Sequence, residues 1–182
     1  NYFSVSLINN SEVFSKNASL FGKVYFPRLV VPISISMSGL VTFAIQFALL
    51  TVVTIGLMLF TDSATLHPRV FLALPFIVVH VAAVGMGVGL IVSALTVRFR
   101  DLAFAAGFAT QLWMYATPVV YPFSQIPERF RLFYYFNPMS APIETFRSTM
   151  FGSPAIPGML WVSNIAIALL LLLAGMLLFS RA

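Results

Sequence analysis

The chain has 182 residues, 60% of them hydrophobic and 8% charged, with a mean hydropathy of +0.97. That mix excludes an ordinary soluble globular domain and places the chain in a membrane. The formal charge of +5 comes from basic residues dispersed at the ends of apolar runs, which argues against a nucleic-acid surface. The absence of cysteine excludes disulfides and cysteine metal sites.

The chain opens at Asn1 with neither an initiator methionine nor a charged leader, and is expected to be the downstream part of a longer protein with further spans upstream. From Asn1 to Pro32, the apolar residues Val5, Leu7, Ile8, Val13, Phe14, Leu20 and Phe21 are interrupted by Asn9, Asn10, Ser11, Glu12, Lys16 and Asn17. Such a mixture suits the end of a preceding span followed by a short helix at the membrane surface, or a plain surface connector. Ser11 is a candidate cap of that helix, with Glu12 in its first turn. Pro27 and Pro32 then set the angle at which the next span begins.

Roughly 20 apolar residues at about 1.5 Å each cross a hydrocarbon core of about 30 Å. Four runs have that length: residues 33–60, 71–97, 102–121 and 159–179. In the second, Gly85 and Gly89 lie on one face with Gly87 between them, which reads as close helix packing within the chain, and Pro75 is expected to kink its outer part. If the first run starts inside, Lys16, Lys23, Arg28, Arg98, Arg100 and Arg181 lie inside and Arg69, Arg129, Arg131 and Arg147 outside, six against four. The bias makes the first side cytoplasmic.

The stretch from Arg98 to Pro122 contains the third run, with Arg98, Arg100 and Asp101 at one end and Pro118 and Pro122 at the other. Gln111, Trp113, Tyr115, Thr117 and Tyr121, with Gln46 and Thr110, offer hydrogen bonds beside flat apolar faces. That combination suits a surface along which a sugar chain slides. Trp and Tyr also mark any membrane interface, so both uses stand. Between Pro122 and Gly158, six prolines alternate with the aromatics Phe130, Phe133, Tyr134, Tyr135, Phe136 and Phe146. Two short helices are predicted there, Pro127 to Phe136 and Pro142 to Phe151, lying in the outer interface or dipping in and returning.

Reactive chemistry is scarce. His80 is the lone ionisable residue well inside a predicted span and reads as a packed, hydrogen-bonded side chain. No HExxH, paired metal-spaced Asp, nucleophile elbow or phosphate-binding glycine loop occurs, so no catalytic or metal site is expected.

The motifs "RFRDL" (Arg98 to Leu102), "QLWMYATPVVYP" (Gln111 to Pro122), "IPERFR" (Ile126 to Arg131) and "NPMSAPIETFR" (Asn137 to Arg147) resemble the permease subunits of ABC exporters for cell-surface polysaccharides. These include exporters of O-antigen, capsule and teichoic acid. The stretch Asn9 to Pro32 is similar to that family's cytoplasmic loop. The resemblance implies an all-α, polytopic helical membrane protein: a single transmembrane permease domain over residues 1–182 with four full spans, the last four of six. Residues 1–32 would be a cytoplasmic segment and 122–158 outer re-entrant helices.

It further implies a coupling helix around Ser11 to Gly22 that docks on a separate ATPase subunit through Ser11, Glu12, Phe14, Lys16, Leu20, Phe21 and Lys23. Gln111, Trp113, Tyr115, Thr117 and Tyr121 would contact the glycan, and Phe130, Phe133, Tyr134, Tyr135 and Phe136 would form the outer gate. Arg98, Arg100 and Asp101 would be the cytoplasmic anchor. The implied partners are a second permease copy, two ATP-binding cassette subunits, membrane lipids and a lipid-linked polysaccharide, in the bacterial inner membrane. ATP and Mg would be bound by the partner subunit and no cofactor by this chain. The alternatives are a permease of the same superfamily exporting a drug or lipid, and a membrane-embedded enzyme or scaffold subunit of envelope glycan assembly.

Overall fold

Long apolar runs without backbone partners in lipid fold as helices, because only an internal ladder satisfies their N–H and C=O groups. The structure, a computed structural model, describes residues 1–21, 27–61, 67–99, 101–119, 121, 125–152 and 157–182, and of 18–21 and 61 the backbone alone. Lys23, Arg100, Pro122 and the side chains of Leu20 and Phe21 lie outside the described residues. The elements are α1 (Tyr2–Ser11), α2 (Val13–Phe21), α3 (Val30–Thr61), α4 (Arg69–Thr96), α5 (Leu102–Ala116), α6 (Glu128–Phe136), α7 (Ser140–Phe151) and α8 (Gly158–Arg181). The fold is all-α among the described residues. Three of these helices are long and apolar enough to cross a membrane: Val30–Phe60, Arg69–Thr96 and Gly158–Arg181.

The expected third span, 102–121, folds differently. Helix α5 has 15 residues and gives way at Thr117, whose backbone is extended (φ −104°, ψ 144°). Its rise of about 22 Å falls short of a hydrocarbon core of about 30 Å. The cause is local: a residue preceding proline is pushed out of the helical region, and Thr117 precedes Pro118.

Helix α4 is the hub, with 44% of its most apolar stretch buried against 6% for α3. Its glycines serve two neighbours. A Cβ on Gly85 would touch the Ser6 side chain at 3.0 Å and one on Gly89 would lie 2.6 Å from Asn10 Cβ, so this face receives α1. A Cβ on Gly87 would lie 2.7 Å from the Leu172 backbone nitrogen, and one on Gly175 would collide with the Gly87 carbonyl, so the adjacent face receives α8. Backbones meet closely where side chains are absent. Pro75 sits inside α4 without ending it.

Helix α1 lies against the middle of α4, and its polar side chains bond within α1 and across to α3. Asn10 donates to the Ser6 carbonyl at 2.8 Å and to the Ser36 hydroxyl of α3 at 3.1 Å, and the Tyr2 hydroxyl donates to the Ser36 carbonyl at 3.0 Å. Ser11 does not cap α2. It ends α1, and its hydroxyl donates back to the Ile8 carbonyl at 2.7 Å. The backbone of α2 leaves helical geometry at Asn17 (φ −119°, ψ 18°), so its regular part is short.

Two apolar clusters mark the two ends. Val13, Leu90 and Phe179 form one with Leu29 and Val31, joining α2, the start of α3 and the last turns of α4 and α8. Tyr2, Ile77, Val81, Val84, Met139 and Ala168 form the other, nearer α7. Helix α2, the start of α3 and the C-terminal parts of α4 and α8 thus meet at one end, whereas α1 runs along α4 so that Tyr2 packs beside Met139 in the α7-side cluster.

Candidate functional site

At the α6–α7 end, the last turn of α5 and the connection between α6 and α7 are tied through Asn137. Its side-chain oxygen accepts the Trp113 indole N–H at 3.1 Å and the Met139 backbone N–H at 3.1 Å. Its amide nitrogen donates to the Ala116 carbonyl at 3.2 Å and the Thr117 hydroxyl at 2.9 Å. Thr117 in turn donates to the Trp113 carbonyl at 2.8 Å. One amide thus satisfies carbonyls and donors that the break before Pro118 leaves without helical partners.

Arg147 of α7 holds the segment that follows. Its guanidinium donates to the carbonyls of Pro118 (3.1 Å), Val119 (2.8 Å) and Tyr121 (3.1 Å), and pairs with Glu144, which is 4% exposed. A planar fork of five donors is suited to several carbonyls at once, and a cation just beyond a helix C-terminus also meets the negative end of its dipole.

Two further polar groups fasten α7. Asn164, buried in α8, accepts the Ala141 N–H at 3.0 Å and donates to the Tyr135 carbonyl at 3.1 Å. His80 Nε2 lies 2.8 Å from the Pro138 carbonyl. A carbonyl only accepts, so Nε2 carries the proton there. The His80 ring also meets Trp161 edge-on at 5.3 Å. His80 is therefore a packed, hydrogen-bonded side chain.

Over this scaffold opens a cleft of about 510 Å³ between α5 and α6, lined by Trp113, Phe130, Phe133, Tyr134, Phe136 and Asn137 with Ala116 and Pro138. Phe133 and Phe136 are 71% and 68% exposed, so much of their apolar area faces outward. Arg129 lies 4.7 Å over the Phe130 ring. The Tyr134 and Tyr121 hydroxyls hydrogen-bond to each other. Burial first, and that bond second, push the Tyr134 phenol up to about 12. It therefore stays a neutral donor and acceptor at physiological pH. Among the described residues, no three His, Asp or Glu side chains converge. What the cleft offers is flat apolar faces edged with hydrogen-bonding groups.

The structure brings together Trp113, Thr117 and Tyr121 with Phe130, Phe133, Tyr134 and Phe136. Gln111 and Tyr115 instead lie on the exposed side of α5, Tyr115 68% exposed, and Tyr135 contributes its carbonyl to Asn164. At the opposite end, Glu12 and Lys16 pair at 2.6 Å, and Phe14 stacks on Phe179 at 4.4 Å. Arg98 and Asp101 are exposed around the turn into α5. Sequence reasoning did not single out Asn137, Asn164 or the Glu144–Arg147 pair as site residues. Asn164 had a signal, a polar amide inside an otherwise apolar run, and Glu144 and Arg147 stand three apart in "ETFR".

Residues 2–151 match the ABC-2 type transporter family. The chain belongs to that family. This ABC-2 transporter membrane domain is 31% identical over 147 residues to an O-antigen export system permease protein RfbA of Klebsiella pneumoniae, covering 80% of this chain and 54% of the relative. It is 31% identical over 127 residues to an O-antigen export system permease protein RfbA of Myxococcus xanthus, covering 70% of this chain and 46% of that relative. The chain thus spans about half the length of the curated relatives it matches.

Proposed function

We propose that this ABC-2 domain is the channel-forming part of a permease that exports lipid-linked polysaccharide across the bacterial inner membrane. In this reading it supplies the last part of a six-span subunit, works as a homodimer and is driven by two ATP-binding cassette subunits. The observation that carries the reading is the cleft of Trp113, Phe130, Phe133 and Tyr134 in a chain similar to O-antigen export permeases over four-fifths of its length. Sugar rings pack on aromatic faces while their hydroxyls find partners such as Asn137, and such contacts are sequence-tolerant enough for a moving polymer.

Helix α2 is the coupling element in this account. Phe14 stacks on Phe179 and its backbone N–H lies 3.5 Å from the Ser93 hydroxyl, so a push on α2 reaches α4 and α8 directly. Coupling of this kind biases an equilibrium between two arrangements of packed helices.

The test is a strain lacking the full-length gene. Polysaccharide should be lost from the cell surface and accumulate on its lipid carrier inside, with recovery on complementation. Unchanged surface polysaccharide would favour the second reading, export of a drug or lipid by the same superfamily.

A further inference from the structure

A second cleft, of about 280 Å³, opens at the α2 end of the bundle between α1, α2 and α3. Asn9 comes from α1, Lys16 and Asn17 from α2, and Ser38 and Thr42 from α3. Ser38 and Thr42 are four residues apart, so they share a face of α3, separated by about 6 Å along its axis.

Thr51 and Thr54 donate to the carbonyls one turn back at 2.9 and 2.8 Å, and Ser36 accepts from Asn10. Among the described residues, no hydrogen bond engages the side chains of Asn9, Ser38 or Thr42. Asn9, Ser38 and Thr42 are all exposed, so their donors are accessible at the cleft. The cleft therefore concentrates donors that a polar ligand would satisfy.

Lys16 decides the sign of that ligand. Its ammonium pairs with Glu12 at 2.6 Å, but their side chains are 64% and 30% exposed. Exposed pairs of this kind contribute little, so the ammonium can exchange its partner at low cost. One ammonium with amide and hydroxyl donors around it matches a phosphoryl group, which presents several acceptor oxygens. Beside Ser38 and Thr42, the exposed residues Met37, Val41 and Ile45 make an apolar stripe along α3, at 63%, 65% and 66% exposure. A ligand with a phosphoryl head and a hydrocarbon chain fits both features.

We propose that this cleft binds the phosphoryl headgroup of a lipid, with Lys16, Asn9, Ser38 and Thr42 on the head and the Met37–Val41–Ile45 stripe along the chain. The proposal does not depend on which cargo the transporter moves. Glu12 is the competing carboxylate, so removing its charge strengthens binding, while removing that of Lys16 weakens it.

The experiment titrates the purified full-length protein in a neutral detergent with dioctanoyl phosphatidic acid, dioctanoylglycerol and inorganic phosphate. Phosphatidic acid should bind about tenfold more tightly than dioctanoylglycerol, and Lys16→Gln should weaken it about tenfold. Glu12→Gln should tighten it several-fold, Lys16→Arg should preserve it, and Ser38→Ala with Thr42→Val should weaken it several-fold. If Lys16→Gln does not fold, the opposed effects of Glu12→Gln and the Ser38/Thr42 double variant still decide the matter. Equal affinity for phosphatidic acid and dioctanoylglycerol, or no opposed effect at Glu12 and Lys16, overturns the phosphoryl assignment. Inorganic phosphate binding as tightly as phosphatidic acid overturns the lipid assignment.

Discussion

The side-chain oxygen of Asn137 accepts the indole N–H of Trp113 at 3.1 Å, while the same amide donates to the Ala116 carbonyl and the Thr117 hydroxyl at the C-terminal end of α5. A single residue thereby fixes the orientation of the largest ring in the cleft and seals the end of the helix that carries it. Replacing it with leucine leaves the indole N–H and the Ala116 carbonyl without these partners. Asn137→Leu should destabilise the purified protein by about 1–3 kcal/mol. Thermal melting in detergent reads this as a lower Tm, accompanied by a red-shifted Trp emission.

Glu144 and Arg147 form a pair whose acid is almost fully buried. Breaking a buried pair from one side takes the opposite charge away from a buried one, which costs about 3–5 kcal/mol. Arg147→Leu should therefore be more damaging than Glu144→Gln with Arg147→Leu combined. A double-mutant cycle on Tm or urea resistance measures the difference, and additive effects would show that Arg147 acts only through the carbonyls of Pro118, Val119 and Tyr121.

Gly87 allows α4 and α8 to meet at backbone distance. Gly87→Leu should prevent that approach and reduce the yield of folded protein, whereas Gly56→Leu, where a Cβ meets nothing within 4 Å, should be tolerated. Size-exclusion profiles of the two variants expressed side by side separate the cases.

Apolar length and composition made the helical class and three of the spans readable, because a run such as residues 33–60 has no other way to satisfy its backbone in lipid. The third run misled in length: its composition stays apolar to Tyr121, while Pro118 acts on Thr117 and ends the helix at Ala116. The cleft was legible in part. Trp113 and the α6 aromatics announced themselves by type, but that they share one cavity depends on Asn137, twenty-four residues from Trp113, and no local pattern encodes that contact. Ser11 reads as a cap in the sequence because a serine before a short helix looks the same whether its hydroxyl reaches forward or, as here, back to Ile8.

The claim that the α5–α6 cleft carries glycan is tested most directly by replacing its rings and measuring transport apart from stability. Full-length permease with its ATPase partner, reconstituted in proteoliposomes, would be assayed for movement of lipid-linked polysaccharide, with Trp113→Ala and Phe133→Ala compared with Phe104→Ala on the exposed face of α5, which is 85% exposed. The account predicts that the two cleft variants lose about tenfold or more in glycan transport, equivalent to about 1.4 kcal/mol. It also predicts that Phe133→Ala keeps its Tm and basal ATPase activity, since that ring is largely exposed, while Phe104→Ala transports normally. Normal transport by Phe133→Ala, or a loss that follows Tm in every variant, would contradict it.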